Sequence, residues 1–377
     1  MRLHSISRVF LTIVAKSKRA NPRASGEFPS PYDDLPAERF WRTGVAKQNP
    51  LCIQNLYTPR LELTREHRIA CAGSCFAQHI SAQLRSRKYQ VIDKEPPPPG
   101  LTKENALRFG YGAFSARFAN IYVTRQLLQL AQEALLNKQR APGDIVWESK
   151  GRYFDALRPS VDPEGFSTVE ELLFHRAVHI KKVREMFLEM DVFIFTLGLT
   201  ECWENTRTGL VYPTCPGTIA GSFDPEKYRF RNLTFSEIYN DFVAFKKLIQ
   251  AKNPAVKFIL TVSPVPLTAT ATAQHVLAAT TFSKSTLRAV AGELYNSFPE
   301  IDYFPSYEII TGPQSKGRFY ESNLRSISPD GVSTVMNTFF AQQPSEPHQN
   351  VEPTPEEEDA LDDVVCEEAM LEAFSEK

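Results

Sequence analysis

The 377-residue chain is predicted to fold as an α/β protein, a three-layer α/β/α sandwich around a mainly parallel sheet. Short apolar runs recur along the chain, and amphipathic segments with helical periodicity separate them. Two of the runs are apolar at nearly every position, which is typical of strands covered on both faces. Strands separated by helices need crossover connections, and such connections pair the strands in parallel.

The first half of the chain supplies two predicted strands and two predicted helices. The run Arg68–Gly73 is apolar and ends in glycine, so it predicts a strand followed by a turn. Apolar residues at helical spacing follow in Phe76–Leu84. Tyr89–Asp93 predicts a second strand, and Asn120–Leu136 a long amphipathic helix. The long interval between these elements and the third strand predicts insertions.

The second half repeats the alternation of helix and strand. A helix from Thr168 to Met186, capped by Ser167 or Thr168, precedes the apolar strand Val192–Gly198. The remaining predicted elements, in chain order, are the helix 236–252, the strand Lys257–Pro264, the helix 283–297, the strand Ile301–Phe304 and the helix Pro329–Phe340.

Charge is distributed unevenly along a chain whose formal net charge is −1. The first 26 residues hold six basic and no acidic residues, whereas residues 343–377 hold twelve acidic residues against one lysine. The tail also contains four prolines, and such a composition buries too little apolar surface to fold. We therefore predict a partly flexible basic extension (1–64), one domain (65–340) and a disordered acidic tail (341–377). The alternative for the last stretch of the tail, Leu361–Phe374, is a short helix formed on a partner protein.

Composition excludes several classes of protein. The near-neutral total argues against a strongly basic nucleic-acid binder, and no apolar run reaches the roughly 18 residues that span a bilayer. Six irregularly spaced cysteines form no disulfide framework, which predicts a reducing, cytoplasmic location. Neither glycine-rich phosphate motif is present, and we expect no metal and no organic cofactor. His175 and His179 are spaced i, i+4 without a third ligand, which favours surface histidines.

Polar residues follow the predicted strands at the sheet edge where such folds bind ligands. Ser74 follows the first strand at the start of a helix, where it is either an N-cap or a nucleophile. Gly198, Thr200 and Glu201 follow the third strand. Further along come His275, in the hydroxyl-rich connection 268–285, and the polar segment that contains Asn323, Arg325 and Ser326.

The pentapeptide Gly73-Ser74-Cys75-Phe76-Ala77 spells the motif that names the GSCFA-domain family. This little-characterised bacterial family is similar to the SGNH/GDSL hydrolases. The resemblance extends over about residues 65–340, through the segments Arg117–Tyr122, Tyr153–Pro159, Gly198–Glu201 and Val262–Pro266.

The resemblance implies a flavodoxin-like sheet and Ser74 as the nucleophile. It also implies that the backbone N–H groups of Ser74 and Gly112 hold the oxyanion. The third block of the hydrolases usually offers an asparagine after a glycine, and here Thr200 or Glu201 stands near that position. Where the hydrolases carry an Asp-x-x-His pair, this chain has Asn323 and Ser326, so the usual base is missing.

His275 is the sequence's candidate for a replacement base, oriented by Glu201 or Glu321, with a structural histidine as the open alternative. The resemblance thus implies an esterase or O-acyltransferase that acts on an acylated carbohydrate or polysaccharide. The alternative is a carbohydrate-binding protein that keeps the cleft but has lost the catalytic base.

Overall fold

The structure is a computed structural model that describes residues 30–343 and 367–374. The strands are β1 (Ile69–Gly73), β2 (Val146–Ser149), β3 (Arg152–Asp155), β4 (Val192–Leu197), β5 (Glu201–Asn205), β6 (Val211–Tyr212), β7 (Tyr228–Asn232), β8 (Lys257–Val262) and β9 (Ile301–Tyr303). The helices are α1 (Phe76–Ser86), α2 (Lys103–Arg108), α3 (Thr124–Leu136), α4 (Pro142–Ile145), α5 (Val169–Glu189), α6 (Phe235–Gln250), α7 (Val276–Ser297), α8 (Ser306–Thr311) and α9 (Pro329–Phe340). Glu367–Phe374 forms a short 3₁₀ helix, called the C-terminal helix below.

A parallel four-stranded sheet in the order β1-β4-β8-β9 forms the centre of the protein. This confirms the predicted α/β class and the parallel pairing. The predicted strand Tyr89–Asp93 is reduced to one parallel bridge between Val91 and Ile69. The segment therefore lies beside β1 but does not form a strand of the predicted length.

Side chains alternate across the central sheet and build a core on each face, because successive strand residues point to opposite sides. Phe193 and Phe195 of β4 pack on one face, where α3, α5, α6 and α7 contribute to the core. Val192 and Ile194 pack on the other face, with residues of α1, α8 and α9. This arrangement is a helix layer, a sheet and a second helix layer.

Two insertions add antiparallel structure that the apolar pattern did not specify. The hairpin β2-β3 lies in the predicted insertion between the first and third strands. A second sheet, in the order β6-β5-β7, follows β4 directly. Because Glu201 begins β5, the polar residues after Gly198 belong partly to this strand rather than to a loop.

The predicted boundary of the domain at residue 65 is wrong. Tyr57, Leu61 and Leu63 are buried in the core beside β1, so this part of the predicted extension belongs to the domain. The segment is held by Asp302 of β9, whose Oδ2 accepts hydrogen bonds from the Tyr57 hydroxyl and the Arg60 N–H, both at 2.9 Å. Residues 1–29 of that extension lie outside the described residues.

The prediction of a disordered tail is also wrong for part of its length. The C-terminal helix packs on the domain, and Glu367 and Glu368 are buried there. Hydrogen-bond donors and a cationic side chain on the domain satisfy these carboxylates, so burying them does not need a large apolar surface. The acidic run Glu356–Asp359 lies outside the described residues.

Within the parts of the chain that the structure describes, we find no helix with the length and apolar character needed to cross a membrane.

Tyr57→Phe should lower the free energy of unfolding by about 2 kcal/mol, because it removes a buried hydrogen bond to a carboxylate. Burial and the nearby Asp302 raise the pKa of Tyr57 far above its usual value, so the hydroxyl retains the proton that it donates. Urea unfolding measures the loss. Tyr32→Phe, at an exposed tyrosine, is the control, and equal stabilities of the two variants would contradict the anchoring role of Tyr57.

Candidate functional site

The strand β1 ends in a glycine that allows unusually close packing against β4. Gly73 has φ +137°, and a Cβ at this position would lie 2.5 Å from the carbonyl oxygen of Thr196. The same carbonyl accepts the Ser74 N–H at 3.2 Å. The N–H that was expected to hold an oxyanion is therefore engaged in joining β1 to β4.

Ser74 lies at the predicted sheet edge, but its hydroxyl does not cap the helix that follows. The residue is 2% exposed, and its Oγ has no hydrogen-bond partner among the described residues. In the first turn of α1 the Ala77 N–H donates instead to the Ser74 carbonyl at 2.9 Å. Buried polar atoms without partners are uncommon, which makes this hydroxyl a candidate for ligand contact.

Gly198 brings the end of β4 against Ser74, whereas the sequence predicted only that it lies at the same edge of the sheet. A Cβ on Gly198 would lie 3.0 Å from the Ser74 Cβ and 3.1 Å from the Tyr122 carbonyl oxygen. Thr200 follows with its backbone N–H donated to the Ser283 hydroxyl at 3.1 Å. The buried hydroxyls of Thr196 and Thr200, like that of Ser74, have no partner among the described residues.

The segment Asn120–Tyr122 completes the rim of this site. The N–H of Ile121 donates to the Gly73 carbonyl at 2.8 Å, and the Tyr122 carbonyl accepts the N–H of Gly198 at 3.1 Å. The Asn120 Oδ1 accepts a hydrogen bond from Nε2 of Gln78, one turn into α1, at 3.3 Å. The sequence assigned this segment to the start of a predicted helix and to the family resemblance but not to the site, whereas α3 begins only at Thr124.

A carboxylate from the C-terminal helix occupies this rim. Glu367 accepts hydrogen bonds from the Asn120 side-chain amide, from the Tyr122 hydroxyl at 2.8 Å and from the Ser160 hydroxyl at 2.5 Å. Glu367 is 2% exposed. Glu367, a residue of the predicted tail, therefore places its carboxylate beside the residues that surround Ser74.

Lys284 is a buried basic residue at the same place. It is 1% exposed, and its Nζ donates to the carbonyl oxygen of Gly198 at 2.6 Å. The preceding Ser283 accepts the Thr200 N–H, so two neighbouring residues of α7 hold the loop after β4. The sequence offered little signal for this lysine, since nothing in the pattern distinguishes it from a surface lysine of a helix.

His275 is not placed as a base for Ser74. Helix α7 begins at Val276, earlier than predicted, and His275 is its N-cap. Its Nδ1 accepts the Leu277 N–H at 3.2 Å, and the residue is exposed, whereas Ser74 is buried without a hydrogen-bond partner among the described residues. The alternative of a structural histidine matches this geometry.

Three other residues proposed for the site have local structural contacts. The Gly112 carbonyl accepts a hydrogen bond from Arg85, near the C-terminal end of α1, whereas Ser74 precedes the opposite end of that helix. Asn323 and Ser326 form an exposed turn, in which the Asn323 Nδ2 donates to the Ser326 Oγ at 3.0 Å.

Glu201 lines a neighbouring cavity, and Arg325 contacts the C-terminal helix. The cavity, of about 280 Å³, is lined by Leu199, Glu201, Trp203, Phe230, Thr270 and Leu371, among others. The Thr270 hydroxyl donates to Oε1 of Glu201 at 2.7 Å, and burial raises the pKa of this carboxyl despite that hydrogen bond. Arg325 pairs with Glu368, Nη2 to Oε2 at 3.5 Å.

The histidine pair on α5 is not a surface pair. His179 is buried, and its Nδ1 lies 2.7 Å from Oε2 of Glu95, whereas His175 is exposed. Among the residues that the structure describes, no group of three or more His, Cys, Asp or Glu side chains is arranged to hold a metal ion.

Buried His79 on α1 predicts an acid-sensitive fold. Burial lowers its pKa to about 4, so between pH 6.5 and 4 the unfolded chain binds a proton that the folded chain does not. The free energy of unfolding should therefore fall as the pH falls through this window, by about 3 kcal/mol from this group. Urea titrations at several pH values measure the slope. His79→Gln should flatten it, and an unchanged slope in this variant would contradict the assignment.

The comparisons with known proteins agree with the motif. The model of the GSCFA family matches residues 68–339, well over half of the chain, and the match includes Ser74, Gly198 and Lys284. No curated protein and no solved structure shows significant similarity to the chain. The protein therefore belongs to the GSCFA family.

Proposed function

We propose that the protein is a serine-dependent esterase or O-acyltransferase of SGNH-like fold, with Ser74 as its nucleophile. The observation that carries the proposal is the buried Ser74 hydroxyl, which lies at the carboxyl edge of a parallel sheet. This hydroxyl has no hydrogen-bond partner among the described residues. The central sheet runs from the bridge at Val91 through β1, β4 and β8 to β9. If these five are numbered among themselves in chain order, the sequence across the sheet is 2-1-3-4-5, which supports a flavodoxin-like sheet.

Lys284 replaces His275 in this proposal as the proton acceptor. A lysine that acts as a general base is typically buried, because the loss of solvation favours the uncharged amine. Lys284 is buried and bonded to Gly198, the residue that packs on Ser74. Serine–lysine pairs are a known variant of the serine–histidine arrangement.

The chemistry follows from these roles. The Ser74 Oγ attacks the acyl carbon while its proton passes to the Lys284 amine, and the C–O bond of the ester breaks. The departing alkoxide takes that proton and leaves an acyl-serine. Water, or a hydroxyl of an acceptor, then attacks the acyl-serine with Lys284 as base and regenerates Ser74. The N-terminal end of α1, which follows Ser74, favours the negative oxygen of each tetrahedral intermediate.

We expect the substrate to occupy the cavity beside Glu201, because Leu199, the residue after Gly198, lines its wall. Its apolar and aromatic wall and its few polar groups are typical of pockets that hold small organic ligands. An acylated carbohydrate or polysaccharide, as the resemblance implies, remains the predicted substrate class.

One observation favours a second candidate, a carbohydrate-binding protein without catalytic activity. No base forms a hydrogen bond to the Ser74 Oγ among the described residues, and serine alone is a weak nucleophile at neutral pH. The cleft would then bind a ligand without cleaving it.

Ser74→Ala should abolish labelling by a fluorophosphonate probe and turnover of p-nitrophenyl acetate, because both need a nucleophilic hydroxyl. The matched control is Ser81→Ala, which removes a fully buried hydroxyl from α1, the helix that follows Ser74, also without a described partner. Ser81→Ala should react as the wild type does. Equal labelling of the wild type and Ser74→Ala would exclude the enzyme and favour the binding protein.

Lys284→Met should slow labelling by about 100-fold or more, within the usual contribution of a general base. Lys284→Arg places a cation at this position that does not accept a proton, so labelling of this variant should be slow too. His275→Ala should label at the wild-type rate. The comparison uses labelling rates measured between pH 6 and 10. A melting curve for each variant shows whether that variant is folded. A slow His275→Ala with a normal Lys284→Met would identify the histidine as the base instead.

A further inference from the structure

We propose that Asn120, Tyr122 and Ser160 form a carboxylate-binding subsite beside Ser74, and that the C-terminal helix fills this subsite with Glu367 at rest. The ligand that displaces the helix is then one that carries a carboxylate of its own. The identity of the ligand as a substrate rests on the proposed function, whereas the subsite itself does not.

The contacts around Glu367 are those of a built anion site. With the C-terminal helix in place Asn120 and Tyr122 are 1% and 2% exposed, so these donors are shielded from water while Glu367 occupies them. One carboxylate oxygen accepts from the Asn120 amide and the Tyr122 hydroxyl, and the other accepts from Ser160. Hydrogen bonds to a charged acceptor are roughly twice as strong as neutral ones, so these three donors favour a carboxylate over an amide or alcohol.

The donors come from separate parts of the domain and therefore do not arise from local turn geometry. Asn120 and Tyr122 belong to the segment that contacts Gly73 and Gly198, whereas Ser160 follows the hairpin β2-β3. Arg158, two residues before Ser160, is fixed by Asp155 at 2.7 Å and donates to the Arg117 carbonyl at 3.1 Å. The subsite is thus held by the domain, and the C-terminal helix is its occupant.

The helix also lines the neighbouring cavity. Glu368 and the apolar residues Leu371 and Phe374 form part of its wall, and Glu368 pairs with Arg325. A ligand that enters the cavity from this side must displace a helix that Glu367 and Glu368 anchor to the domain. A ligand carboxylate that competes with Glu367 for the same donors displaces the helix without any change in the domain.

Acetate tests the subsite directly in the full-length chain, because Glu367→Ala deletes the four heavy atoms that acetate contains. Acetate should raise the melting temperature of Glu367→Ala by a few degrees, since a ligand bound only by the folded state stabilises it. Acetate should have little effect on the wild type, whose subsite is filled. Acetamide and sodium chloride at equal concentration are the neutral and ionic controls, and Glu372→Ala is the matched variant at an exposed carboxylate of the same helix.

Ser160→Ala added to Glu367→Ala should weaken the acetate response, and an equal response in the wild type and Glu367→Ala would overturn the proposal. Ser160→Ala alone gives a second measurement that does not depend on how Glu367→Ala folds. Loss of this donor should speed amide hydrogen exchange across Glu367–Phe374 several-fold, and unchanged exchange would also overturn the proposal.

The ligand's identity as a substrate is tested with Glu367→Ala and two esters, p-nitrophenyl hydrogen adipate and p-nitrophenyl methyl adipate, whose long spacer keeps the free carboxylate from attacking its own ester. The ester with the free carboxylate should be turned over at least tenfold faster. A reversed or absent preference would overturn this part. If neither ester reacts while acetate still stabilises Glu367→Ala, the proposed function fails and the carboxylate subsite stands.

Discussion

The close parallel pairing of β1 with β4 is the constraint on which the site depends. It aligns Gly73 with Thr196, and the absence of a Cβ on Gly73 lets the two backbones meet. Ser74 and Gly198 follow these strands directly, so the same pairing sets them in contact at the carboxyl edge of the sheet. Hydrogen bonds from α7 and from the segment before α3 then hold the loop after β4 in the position that this pairing sets.

The buried polar groups around Ser74 differ in how many of their hydrogen bonds the protein satisfies. Backbone groups of the loop after β4 are bonded to Tyr122, Ser283 and Lys284, which holds the loop rigidly. The hydroxyls of Ser74 and Thr200, in contrast, lack described partners. A rigid frame around unsatisfied hydroxyls is the arrangement expected of a binding site, because a ligand gains the hydrogen bonds that the protein leaves unmade.

Much of the fold could be predicted from the sequence, because a strand buried on both faces needs an uninterrupted apolar run. Val192–Leu197 and Lys257–Val262 were recognised for this reason. The sheet β6-β5-β7 was not, since its short strands alternate and carry charged residues such as Glu204 and Arg229, which pair with each other. Tyr57–Leu63 and the C-terminal helix were assigned to flexible ends, because their stability depends on partners distant in the sequence, among them Asp302 and Ser160.

The sequence by itself determined the parallel α/β class and the positions of Ser74 and Gly198 directly after the first and third predicted strands, because strand ends and glycines are local features. Only the tertiary structure decided which groups surround that serine. It placed Lys284 on Gly198, left His275 capping a helix and seated Glu367 on Asn120. These contacts join residues far apart in the chain, and burial and hydrogen bonding between such residues exist only once the layers have packed.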